Sequence, residues 1–110
     1  LLGRLFLEFW TTAAREGAQS EIGAWFAGMY SRWRDQIASL IERGQRSGEF
    51  HVLDPRNAAA LLMAVLDGIT VQLILDVGLR VDDEFLAALD RAVFNALRGG
   101  AAMPDQRCDV

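Results

Sequence analysis

Residues 54–78 read Asp-Pro-Arg-Asn-Ala-Ala-Ala-Leu-Leu-Met-Ala-Val-Leu-Asp-Gly-Ile-Thr-Val-Gln-Leu-Ile-Leu-Asp-Val-Gly. From Ala58 to Leu75 the run carries a single charge, Asp67. Asp54 followed by Pro55 is a helix start signal, because an aspartate can cap the first amides and proline at the first position gives up an N–H that has no partner there anyway. Gly78 is a stop signal. A helix packed on one side only keeps a polar face toward water. This one keeps almost none, so a membrane or a second protein surface should cover it as well.

The membrane alternative is disfavoured by magnitude. A carboxylate near the centre of a span, such as Asp67, costs about 2.5–3.5 kcal/mol on insertion scales. Gln72 and Gly68 add to the burden, and no Trp or Tyr marks the flanks. No membrane partner is therefore expected.

The rest of the chain reads as helix. Strand alternation is absent, and both prolines, Pro55 and Pro104, stand at element edges. A first helix is expected from Leu1 to about Glu16, with Leu2, Leu5, Phe6, Phe9, Trp10 and Ala13 on one face and Gly17 as its stop. A second begins near the N-cap Ser20 and continues to about Arg46. Its stripe comprises Ile22, Trp25, Phe26, Met29, Tyr30, Trp33, Ile37, Leu40 and Ile41. Ser47-Gly48 closes it, a short extended link leads to Asp54, and the third helix runs to about Val77. A fourth, capped by Asp82 or Asp83, runs through about Arg98 with Phe85, Leu86, Leu89, Val93 and Leu97 as its stripe. The fold class is thus all-α, an antiparallel bundle of about four helices over residues 1–98, followed by a disordered polar tail over 99–110.

Projected at about 100° per residue, the third helix has two apolar sectors. Leu62, Leu66, Ile69, Leu73 and Val77 are bulky and suit a core. Leu61, Ala64, Gly68, Val71, Gln72 and Leu75 form the other, whose small residues would let a partner helix approach closely. Arg91 and Phe94 project from the fourth helix away from its stripe. These eight residues are the expected dimer interface, with the third and fourth helices of two copies forming a four-helix bundle about a two-fold axis.

Composition narrows the function. The 110 residues have a formal net charge of −4, and a sequence pI near 4.8 offers no electrostatic footing for a polyanion, so no direct nucleic-acid contact is expected. Cys108 is the sole cysteine, which rules out an intrachain disulfide and favours a cytoplasmic location. The chain opens at Leu1, already in a helical pattern and without a cleavable leader pattern, as a piece of a longer protein would. No nucleophile and base pair, glycine-rich phosphate loop or carboxylate pair suggests an enzyme, so no catalytic residue and no cofactor are expected. His51 stands alone in a link, without metal-ligand spacing.

Seven of the ten aromatic residues fall within the first 33 positions. Phe6, Phe9, Trp10, Trp25, Phe26, Tyr30 and Trp33, with Met29 and Met63 as flexible wall residues, could line a pocket for a small apolar or aromatic effector. The same pattern also fits a solid aromatic core. Asp67 has two readings as well: it reaches a hydrogen-bonding partner, such as an Arg or a backbone amide, at the interface, or it faces the pocket and binds a cationic effector.

The order of features resembles the C-terminal regulatory domain of TetR-family transcriptional repressors. The residues that carry the resemblance are the opening Arg4-Leu5-Phe6-Leu7-Glu8-Phe9-Trp10, the segment Gly48-Glu49-Phe50, Asp54-Pro55, and Leu66-Asp67-Gly68 followed by Gln72-Leu73. The resemblance covers nearly residues 4 to 98. It implies an effector-binding and homodimerising domain, preceded in the parent protein by a helix-turn-helix domain that reads operator DNA. These residues include no such segment, so DNA binding would belong to the parent. The alternative is a helical dimerisation module with no ligand.

Overall fold

The computed structural model describes residues 2–99, and the polar tail expected over 99–110 lies outside them apart from Gly99, as does Cys108. Four helices follow in order: α1 Leu2–Glu16, α2 Glu21–Arg46, α3 Pro55–Leu75 and α4 Asp83–Leu97. Among the described residues there is no strand. The fold is an all-α bundle, as the periodicity implies.

Local chemistry sets the bounds. The Ser20 hydroxyl accepts from the Gly23 amide at 3.0 Å and donates to the Gly17 carbonyl at 2.7 Å, which ties the α1–α2 turn to the start of α2. Asp54 accepts from the Arg56 amide at 2.9 Å, with Pro55 opening α3. Of the two candidate caps for α4 it is Asp82 that acts, accepting from the Phe85 amide at 2.9 Å. α3 stops two residues short of the expected Val77. Asp76 itself turns left-handed, with φ 53°, before Gly78 does so at φ 97°. Aspartate tolerates that conformation better than most residues, so the helix ends at Leu75.

α2 is the central element, packed chiefly against α3 and then against α1. The core cluster joins Ala38 and Ile41 of α2, Ala59 of α3 and Leu97 of α4, with Ile37, Phe50, Val52, Leu62 and Val93 packed around it. Phe26 and Met29 of α2 and Met63 of α3 are also buried, with Phe26 against Phe6 of α1. α4 is held at its C-terminal end, where the His51 amide donates to the Leu97 carbonyl at 2.7 Å and Val93 and Leu97 reach the core.

The azimuth of α3 differs from the expected one. Ala59 and Met63 turn inward, Ile74 lies beside Gly3 of α1, and Asp67 is half-buried. Leu66, Leu73 and Val77, placed in the core sector by sequence, are 54%, 48% and 62% exposed. Ala38 and Ala59 are almost fully buried in one cluster, and small side chains of this kind leave room for two helices to pack there without the bulk of the leucines. The stripe of α4 shows a lesser departure: Leu97 is buried and Val93 packs, but Leu86 is exposed.

Candidate functional site

The aromatic residues of α1 and α2 meet around Phe26. Its ring stands edge-on to Phe6, at 5.8 Å between centroids, and to Trp25, at 5.0 Å. Trp10 continues the group from Phe6 at 6.4 Å, and one turn further along α2 Tyr30 and Trp33 lie 6.0 Å apart. Such tilted and edge-to-face pairs are the favoured geometries for aromatic quadrupoles. Met29 and Met63 are buried beside them, whereas Phe9, Trp25 and Trp33 remain about half exposed.

The nine expected pocket residues do not enclose one chamber. They are distributed over three open grooves and the interior between them. Trp10, Phe26 and Tyr30 line one groove of about 480 Å³, and Phe6, Phe9, Trp25 and Phe26 line another of about 550 Å³. Trp33 and Met63 belong to a third of about 320 Å³, together with Gln36, Ile37, Leu66 and Asp67. Phe26 separates the first two, reaching both.

The third groove contains the charge that interrupts the apolar run. Asp67 Oδ1 accepts from the Tyr30 hydroxyl at 3.1 Å. The partner is neither an Arg nor a backbone amide, and it lies within the same chain. Tyr30 is pushed up to about 12 by its burial first and by the hydrogen bond and charge of Asp67 second, so the phenol keeps its proton and remains a donor. The spacing of 37 residues between them has no local sequence signal.

A fourth depression, about 570 Å³, lies away from the aromatic group, between the 51–54 link, the first half of α3 and the second half of α4. Its walls include Leu61, Leu62, Val65, Leu89 and Val93, with His51 and Asn57 at the rim. Sequence reasoning did not find this groove. The available signal was the pair of apolar residues Val52 and Leu53 in an otherwise short link, of which Val52 packs inward and Leu53 is fully exposed.

The expected interface residues are placed as follows. Leu61, Ala64, Gly68, Gln72 and Leu75 are on the exposed side of α3, and Val71 is partly covered. Val65 extends this face beyond the expected set, whereas Leu66 and Leu73, also exposed, lie in the other apolar sector. Arg91 is exposed on α4. Phe94 is engaged within its own chain: its ring lies 6.4 Å from that of Phe50, and the Arg98 guanidinium sits 5.3 Å above it. No group of three or more potential metal ligands is found among the described residues.

A family model for the C-terminal region of BetI-type transcriptional repressors matches residues 2–98. The chain belongs to this family. No curated protein and no solved structure matches it. The BetI-type C-terminal domain is a TetR-type regulatory domain of a transcriptional repressor, and its family is a class of regulators rather than of enzymes. In this BetI-type domain α3 is the one described helix long and apolar enough to cross a bilayer, and only a small part of it is buried.

Proposed function

We propose that this BetI-type domain, over residues 1–98, senses a small apolar or aromatic effector and pairs with a second copy of itself through α3 and α4. The parent repressor, in the cytoplasm, would hold operator DNA through a separate helix-turn-helix part. The observation that carries the reading is the outer face of α3. Leu61 is 69% exposed, and Val65 and Leu75, at 42% and 56%, lie within about 40° of it on the same uncovered side of the helix. A contiguous apolar surface of this kind marks an interaction site in a soluble protein. Homodimers most often close such a face on its own copy about a two-fold axis.

Sedimentation velocity of the chain beside Ala64→Glu and Gly68→Glu tests the pairing. Gly68 has open space around it and Ala64 is exposed, so neither glutamate disturbs the single subunit. Buried in a seam, each would be an unpaired charge and should shift the chain to monomer. Dimers that persist in both variants would remove this face from the interface.

The ligand-free dimerisation module is favoured by one observation, the edge-on packing of Phe6 and Trp25 on Phe26. Titration with a neutral aromatic alcohol, read by the fluorescence of Trp25 and Trp33, separates the two readings. Saturable quenching supports sensing, and a flat response supports the module.

A further inference from the structure

The groove of about 570 Å³ between the 51–54 link, α3 and α4 has mostly apolar walls, with Leu62 and Val65 on one side and Leu89 and Val93 on the other. Leu53 lines it too and is fully exposed, although its backbone is held on both sides. The Gln45 side-chain amide donates to the Val52 carbonyl at 2.9 Å, and Asp54 caps α3. A leucine fixed on the surface in this way gains no burial within its own subunit. α4 is equally incomplete. Leu97 and Val93 anchor its last turns, whereas Leu86 in its first half is exposed and Leu89 only half-buried. A helix of 15 residues is marginal in water by itself, and packing of an apolar face supplies most of its stability.

Two observations point to a second copy as the cover. Leu61 and Val65 belong both to this groove and to the outer face of α3, so the two surfaces are continuous and one occupant meets both. The outer face of α3 is also too small alone, since it comprises one side of a single helix and a stable interface takes about 20–30 residues a side. We propose that the second copy closes the groove between α3 and α4, that Leu53 is an anchor of the pair, and that the first half of α4 is held firmly only when the pair forms. The inference rests on the pairing reading and extends it to the link and to the inner side of α4.

Sedimentation velocity over a dilution series of the chain and of Leu53→Ala tests the proposal. The side chain removed is fully exposed, so the single subunit keeps its fold. Loss of its burial should weaken pairing by about tenfold for each copy and about a hundredfold for the pair. Hydrogen exchange gives a second measurement on the unaltered chain. Amides in the first half of α4 should exchange about tenfold or more faster in the monomer reached by dilution than in the dimer, while those in the core of α2 keep their rate. Either unchanged pairing in Leu53→Ala or equal exchange in monomer and dimer would overturn the proposal and leave pairing through the outer face of α3 standing. A chain that stays monomeric at every concentration would remove the pairing reading and this inference together. Dimers that bind anilinonaphthalene sulfonate, with the dye lost in Leu53→Ala, would assign the groove to a small apolar ligand instead.

Discussion

The Phe50 ring lies directly on the backbone of Gly44, so that a Cβ at position 44 would overlap ring atoms Cδ2, Cε2 and Cγ. The contact is part of a tight closure of α2. The Glu49 and Phe50 amides both donate to the Gly44 carbonyl, at 2.8 and 3.0 Å, and fold the link back over the helix end. Phe50 in turn meets Phe94 of α4, so Gly44 governs how α4 is anchored. Gly44→Ala should therefore destabilise the chain by about 1–3 kcal/mol, as overpacking does, against about 1 kcal/mol gained in helix propensity. Urea denaturation measures the balance. An alanine variant as stable as the parent chain would mean that the ring moves aside freely.

Gly23 presents a harder obstacle, because a Cβ there would run into the backbone carbonyl of Gly17 rather than a side chain. Gly23→Ala should be more damaging than Ser20→Ala, which removes only a cap and should cost about 1 kcal/mol. Thermal unfolding of the two variants should rank them in that order. The reverse ranking would contradict the packing of the α1–α2 turn.

The Tyr30–Asp67 pair predicts a pH window. The phenol titrates at 10.0 when free and near 12 in the fold, so between those values the native state holds a proton that the unfolded chain has released. Its contribution is fully present below pH 10.0 and is lost as pH rises toward 12. Denaturant midpoints should fall across this window, and Tyr30→Phe should fall less steeply. Parallel curves for the two proteins would show that the pair is not coupled to folding.

Core and surface variants should differ widely in effect. Ile41 is 2% exposed in the central cluster, and Ile41→Ala should cost about 2–5 kcal/mol. The Arg56–Asp35 ion pair is more than half exposed on both sides. Arg56→Gln should cost no more than about 1 kcal/mol, in keeping with solvent-screened pairs. Chemical denaturation of both variants checks the contrast. A loss on Arg56→Gln as large as that on Ile41→Ala would show an energetic role for the pair that its exposure does not suggest.

By itself the sequence determined the number of helices, their bounds to within two residues, and the caps Ser20 and Asp54, and it narrowed the cap of α4 to Asp82 or Asp83. It could do so because capping, proline at a first position and glycine at a left-handed stop act within a few residues along the chain. The aromatic group around Phe26 was legible for a related reason: the helical period places Phe6, Phe26 and Tyr30 on faces that a short turn brings opposite one another. The inner face of α3 was not legible. Apolar residues surround that helix, so hydrophobicity has no preferred direction, and the inner face is set by packing into the cluster of Ala38, Ile41, Ala59 and Leu97. The same rotation sets Asp67 against a hydroxyl 37 residues away, exposes Leu66 and Leu73, and opens the groove beneath Trp33. Tertiary packing decided these features because each depends on how two distant backbones fit, a quantity that local propensity does not carry.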